Sequence, residues 1–361
     1  LELFHGPTLA FKDFAMQLIG QMFQAALSRS GDRVTIVGAT SGDTGSAAIE
    51  AFRGLKAVDV FIMYPHGRVS EVQRRQMTTP TEDNVHALAV DGDFDDCQAA
   101  VKDMFNDFAF REDVKLAGVN SINWGRVLAQ VVYYFTAAVS LGAPHREVSF
   151  TVPTGNFGDI FAGYIAKKMG LPIADLVVAT NRNDILHRTL ETGAYTKEGV
   201  EPTISPSMDI QVSSNFERAL FDAYGRDGAA VAGQMEDLRQ GGFQISQGAY
   251  QMLKDTFKSG RASEAETQAT IKTYLAQHGE LLCPHTAVGV HVAEAHLGAT
   301  PMVTLATAHP AKFPDAVKAA SGVAAPLPPR MADLYDRPER VTRVKNDLDA
   351  LQAVIKERIQ N

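Results

Sequence analysis

The stretch VTIVGATSGDTGSAAIEAF, residues 34–52, decides how the rest of the chain is read. Its first six residues are apolar and rich in β-branched side chains, the mark of a buried strand. Small turn-forming residues follow, and GDTGSAAIEAF opens a helix. A strand that runs through a glycine turn into a helix is half of a βαβ unit. The phrase then recurs. VDVFIMY (58–64) precedes SEVQRRQM, VHALAV (85–90) precedes DDCQAAVKDMF, and VSFTVP (148–153) precedes GDIFAGYIAKKM. ADLVVAT (174–180) and PMVTLAT (301–307) read as further strands, WGRVLAQVVYYFTAAV (124–139) and HTAVGVHVAEAHL as helices. Such alternation predicts an α/β chain with parallel sheets, in which ligands bind at the carboxyl ends of strands.

Length and composition set the outer limits. A chain of 361 residues has room for two domains, and 45% apolar with 21% charged residues is a soluble globular balance. A net charge of -8 argues against a general nucleic-acid or anionic-membrane surface, which needs a basic excess. No uncharged apolar stretch approaches the roughly 20 residues that span a bilayer. Cys97 and Cys283 are far apart and form no C-x-x-C, so they read as ordinary buried thiols and a cytoplasmic location fits. The segment LGAPHRE (141–147) reads as the domain crossing and VAAPLPPR (323–330) as the close of the compact part. The expected division is therefore 1–145, 146–330 and a tail, 331–361, whose RVTRVKNDLDALQAVIKERI reads as a terminal helix. The chain opens LELFHG without an initiator Met, so residues are expected ahead of Leu1.

Three strand-to-helix turns and one helix head carry candidate chemistry. In VPTGNFGDIFAGY, Gly155, Asn156, Phe157 and Gly158 lead a strand into a helix, and the N–H groups of such a loop suit a phosphate. A plain glycine turn with a capped helix accounts for the same residues, and Asp159 would repel an anion if it faced inward. In GATSGDTGSAA, Thr40, Ser41, Asp43 and Thr44 crowd small polar groups around glycines, as an anion cradle or as simple helix caps. In TLATAHPAKFPDAV, Thr307 ends a strand. In VNSINWGRVLAQ, Asn120, Ser121 and Arg126 gather phosphate-type donors at a helix start, or cap it beside a surface arginine. No H-E-x-x-H occurs, and His291 and His296 do not share a helix face, so no metal site is expected. His285 and His309 read as structural.

Lys12, in HGPTLAFKDF, stands at the mouth of an uncharged helical run, FAMQLIGQMFQAAL. Gln17, Gln21 and Gln24 mark the polar stripe of that helix, and Lys12 lies roughly 140–150° from its middle. It shares a face with Ala15, Met16 and Ile19. Desolvation and the positive helix end both disfavour charge on an amine there, the condition a Schiff-base lysine needs. Snorkelling to solvent, or pairing with Asp13, is the bland alternative.

Together HGPTLAFKDFAMQ, GATSGDTGSAA, NSINWGRVLAQ, PTGNFGD, SPSMDIQVSSNFERAL and LATAHPAKFP resemble the threonine synthase family, in order, from His5 to about Val317. The resemblance implies the tryptophan synthase β-type fold, pyridoxal-phosphate fold type II: two open, twisted, mostly parallel sheets with flanking helices and the active site in an interdomain cleft. The smaller domain would carry the lysine motif, the larger the cofactor's phosphate. It implies conversion of O-phospho-L-homoserine and water to L-threonine and phosphate. Lys12 resembles the lysine that binds the cofactor and then serves as acid and base. Gly155, Asn156, Phe157 and Gly158 resemble the cofactor-phosphate loop, and Thr307 the hydroxyl at the pyridine nitrogen. Asp43 stands where the wider fold often has Asn beside the ring hydroxyl. Thr40, Ser41 and Thr44 would take the substrate carboxylate, and Asn120, Ser121 and Arg126 its phosphate. A monomer or homodimer is implied. The competing readings are a serine/threonine dehydratase or a β-replacement enzyme of this fold, and a noncatalytic metabolite binder.

Overall fold

The computed structural model describes residues 1–359. They form two compact units, and both are α/β, as the strand–turn–helix phrase predicts.

The first unit comprises residues 4–123 and the chain from Pro326 onward. Its sheet has five parallel strands in the order Thr342–Lys345, Val85–Asp91, Val58–Pro65, Val34–Ala39, Leu116–Ala117. Both faces of this sheet are covered, which is why its three inner strands read as nearly continuous apolar runs rather than alternating ones. Ile36, Val60 and Ile62 pack on one face with Met16, Ile19, Ile49 and Phe52. Val37, Phe61 and Met63 pack on the other with Cys97, Met104, Leu351 and Ile355.

The second unit comprises Leu1–Leu3 and Trp124–Ala325. Its main sheet has four parallel strands in the order Met302–Thr304, Val148–Pro153, Ile173–Thr180, Phe257–Arg261. A small antiparallel pair, Ala194–Thr196 with Gly242–Gln244, stands apart from it.

The divisions at 123/124 and 325/326 differ from those read at 145/146 and 330/331, for physical reasons. The helix Trp124–Ser140 packs on the strand that follows it: Tyr134 lies 4.8 Å from the Phe150 ring. It also lies so close to Gly163 that a Cβ there would come within 2.7 Å of the tyrosine ring. The tail is not one helix either. Thr342–Lys345 is an edge strand, and only Leu348–Arg358 is helical. Val344, Leu351 and Ile355 bury against the first unit's sheet, which binds this segment to that core. No described helix is long and apolar enough to cross a membrane, and both cysteines are free and buried.

Candidate active site

The helix Lys12–Ser30 begins at the lysine itself. Ala15, Met16 and Ile19 are buried and Gln17, Gln21 and Gln24 exposed, so the face assigned to Lys12 is the inner one. A tight turn delivers it there. Asp13, buried, accepts from Thr8 N at 2.8 Å and from Thr8 Oγ1 at 2.5 Å. A Cβ on Gly6 would lie 2.6 Å from the Asp13 Cβ, so the turn closes only on glycine. Leu9 adopts a left-handed φ of 65°, a conformation that costs about 1–2 kcal/mol for a non-glycine residue. Burial of Leu9 against Val72, Met331 and Leu334 offsets that cost.

Lys12 keeps 12% of its side chain exposed, and its Nζ lies 3.6 Å from Asp43 Oδ2 and 4.9 Å from the Phe11 ring centre. The amine is thus held inside and not snorkelling. Asp43 is the first residue of the helix Asp43–Phe52, but it does not cap it; Gly42 holds the cap position without a side-chain bond. The carboxylate is spent elsewhere: Gln73 Nε2 donates to its Oδ1 at 3.0 Å. The Oε1 of Gln73 accepts from Ser70 N at 3.2 Å, in a reciprocal capping box. Thr40 is buried, and its Oγ1 accepts from the N–H groups of Gly42 and Gly45, both at 2.9 Å, so it shapes the loop. Ser41 and Thr44 are half-buried.

The second unit contributes the other candidates. The strand Val148–Pro153 ends in the 154–157 turn, and the helix Gly158–Lys168 follows. Phe157 turns the chain with a left-handed φ of 62°, its buried ring 5.2 Å from both Phe216 and Phe257. Among the described residues, the N–H groups of Gly155, Asn156, Phe157 and Gly158 donate to no protein acceptor. Four uncommitted donors at a helix N-terminus are a donor set that fits a phosphate. Asp159 does not spoil it. Its Oδ1 accepts from Tyr133 Oη at 2.5 Å and Tyr134 Oη at 3.0 Å, on the helix Trp124–Ser140. Burial, then the Asp159 charge, pushes both phenols well above their ordinary pKa, so they remain donors.

Thr307 is buried just past the strand Met302–Thr304, whose edge pairing continues through Leu305 N to Thr151 O at 3.0 Å. The two histidines near these loops have structural partners. His285 Nε2 accepts from Ser207 N and His309 Nδ1 from Ala311 N, both at 3.1 Å.

The 119–130 cluster divides between the units. Asn120, exposed, and Ser121, half-buried, lie in the first; Arg126 lies in the second. Arg126 is 3% exposed, and desolvation lowers its pKa to about 10, which still leaves it charged at neutral pH. It is not the surface arginine that a capping role would leave. Gln73, Ser213 and Asn215 also touch these candidates and escaped sequence reasoning. Gln73 offered a local signal, at the N3 position of an S-x-x-Q capping box, and Ser213 and Asn215 lie within the stretch SPSMDIQVSSNFERAL.

Residues 1–235 match the model for pyridoxal-phosphate-dependent enzymes, and residues 286–355 that for the threonine synthase C-terminal region. The chain is 55% identical over 359 residues to threonine synthase of Pseudomonas aeruginosa, covering 98% of this chain and 76% of that one. The structure superposes on PLP-bound threonine synthase from Brucella melitensis with a TM-score of 0.97 and 60% identity, covering 100% of this chain and 78% of the other. Threonine synthase from yeast gives a TM-score of 0.92 at 42% identity, over 99% of this chain and 77% of that one. The chain belongs to the threonine synthase family of pyridoxal-phosphate-dependent enzymes.

Proposed function

We propose that this chain converts O-phospho-L-homoserine and water to L-threonine and inorganic phosphate, with pyridoxal 5'-phosphate as cofactor and no metal. One observation carries the reading: a lysine held inside beside a carboxylate, in a chain 55% identical to a threonine synthase over nearly its whole length.

The residues present fit the cofactor. Lys12 Nζ would hold its carbonyl carbon, the N–H groups of 155–158 its phosphate, and Thr307 Oγ1 its ring nitrogen. A neutral hydroxyl there favours an unprotonated ring. When bound, pyridoxal phosphate supplies an electron sink for carbanion chemistry. Asp43 accepts from Gln73 and lies 3.6 Å from Lys12 Nζ; it would hold that amine in place and meet the ring hydroxyl. Thr40, Ser41 and Thr44 take the substrate carboxylate. Because Thr40 Oγ1 already accepts two backbone N–H groups, its remaining part is to donate. Arg126, with Asn120 and Ser121, takes the substrate phosphate. A desolvated guanidinium makes strong charge-assisted bonds to a phosphate dianion, and serine or threonine as substrate would leave it idle.

Lys12 Nζ then removes the proton from the substrate Cα and moves protons at Cβ. Phosphate would leave from Cγ, held by Arg126, and Cγ would take up a proton to become the methyl group. Water would add its hydroxyl at Cβ, its remaining proton balancing the released phosphate, and Lys12 Nζ would return a proton to Cα. Free cysteines fit a cytoplasmic site of action, as a monomer or homodimer.

The test is release of phosphate from O-phospho-L-homoserine with stoichiometric L-threonine. Lys12→Ala should abolish both, together with the cofactor's visible absorption, while leaving the circular dichroism of the fold unchanged. Faster formation of pyruvate from serine than of threonine would overturn the reading in favour of a dehydratase.

A further inference from the structure

The segment 205–215, SPSMDIQVSSN, lies against the 155–158 loop on its carbonyl side. Ser213 Oγ donates to Gly155 O at 2.6 Å. Asn215 donates twice to Asn156 O, from its backbone N at 3.0 Å and from Nδ2 at 3.1 Å. Ser214 Oγ donates to Asn156 Oδ1 at 3.1 Å. The approach is close: a Cβ on Gly155 would lie 2.8 Å from Ser207 O.

A trans peptide is planar, so the C=O of one residue and the N–H of the next point in opposite directions. Fixing Gly155 O on Ser213 turns the Asn156 N–H away from the 213–215 segment. Fixing Asn156 O on Asn215 does the same for the Phe157 N–H. These are two of the four loop N–H groups that have no protein acceptor among the described residues. The bracing groups are themselves buried and hydrogen-bonded. Ser213 is 3% and Asn215 0% exposed. Ser213 N donates to Tyr195 Oη at 2.8 Å, and Asn215 Oδ1 accepts from Arg218 Nε at 3.2 Å, which fixes the amide's orientation. The strained left-handed Phe157 needs such a lock, because its conformation would otherwise relax and scatter the donors.

Resting on the proposed cofactor-phosphate role of this loop, we infer that Ser213 and Asn215 are positioning residues: by holding the carbonyls of Gly155 and Asn156 they aim the Asn156 and Phe157 N–H groups at the cofactor's phosphate. Neither side chain touches the anion. Their contribution is to set the donor directions before binding, so that no reordering cost falls on the binding step.

The test measures equilibrium binding of pyridoxal phosphate and of pyridoxal, its phosphate-free analogue, to the full chain freed of cofactor, and the 31P shift of the bound phosphate. Ser213→Ala and Asn215→Ala should weaken pyridoxal phosphate by roughly 10- to 100-fold, as expected for charge-assisted hydrogen bonds that lose alignment. Pyridoxal binding should barely change, and the 31P shift should move. Ser213→Thr keeps the hydroxyl and should restore both. Equal weakening of the two aldehydes, or no weakening of either, would overturn the inference. If Asn215→Ala fails to fold, the Ser213→Ala and Ser213→Thr pair decides alone. An unsubstituted chain that binds neither aldehyde would overturn the functional reading itself, a result seen before any substitution is made.

Discussion

Asp43 Oδ2 lies 3.6 Å from Lys12 Nζ, and the other oxygen of that carboxylate is held at 3.0 Å by Gln73 Nε2. The lysine of the family motif therefore depends on a glutamine from a different helix, Glu71–Thr78. Glycine makes this possible. Gly42 has a φ of 135°, and a Cβ on it would lie 2.3 Å from Gln73 Cδ.

Gly42→Ala should therefore cost about 2–4 kcal/mol, combining a backbone conformation that only glycine adopts readily with loss of the Gln73–Asp43 bond. Gly67 supplies the control. Its φ is also positive, at 73°, but nothing lies within 4 Å of where its Cβ would be. Gly67→Asn should change the urea midpoint little. Equal midpoints for the two variants would mean that the 42–73 contact is unimportant.

Arg126→Gln should raise the KM for O-phospho-L-homoserine by roughly 10- to 100-fold, since a bidentate charge-assisted contact to phosphate is lost. The cofactor's visible absorption should persist, because Arg126 is assigned to the substrate's phosphate. Desolvation holds its pKa near 10. Substrate binding in the parent chain should accordingly weaken as the pH is raised through about 10. An unchanged KM would remove Arg126 from the site.

His86 predicts how stability depends on pH. Its ring stacks 4.4 Å from Phe61, and its Nε2 has no hydrogen-bond partner among the described residues. Burial, then the charges of Arg358 and Arg340, lowers its pKa from 6.5 to about 4. Between those values the unfolded chain takes up a proton that the folded chain refuses. The stability from a neutral His86 is thus fully present above about pH 6.5 and is lost as the pH falls toward 4. His86→Phe should lose less of its urea midpoint between pH 7 and pH 5 than the parent chain does. Identical losses would show that other groups govern the acid limb.

Much of the fold was legible because its strands are buried on both faces. Continuous runs such as VDVFIMY and VSFTVP stand out from their surroundings, and the glycine turns after them mark where helices begin. The edge strand Phe257–Arg261 was not legible. FKSGR is half polar and carries a glycine, as suits an edge, and sequence pattern does not mark such a strand. Thr342–Lys345, TRVK, escaped for the same reason and was absorbed into a helix reading.

By itself the sequence determined which residues could do chemistry and what surrounds them locally. The inward face of Lys12 follows from helical geometry, and the phosphate-type turn at 155–158 follows from glycines between a strand and a helix. Both depend on neighbours a few residues away. Tertiary structure alone decided what those groups touch. Gln73 reaches Asp43 across thirty residues, and Ser213 and Asn215 reach the 155–156 carbonyls across nearly sixty. Asp159 was ambiguous until the Tyr133 and Tyr134 hydroxyls took up its carboxylate. A hydrogen bond is directional and short, so its partner is set by where two distant backbones meet. No local pattern encodes that meeting, because periodicity reports which face is buried and not what lies against it.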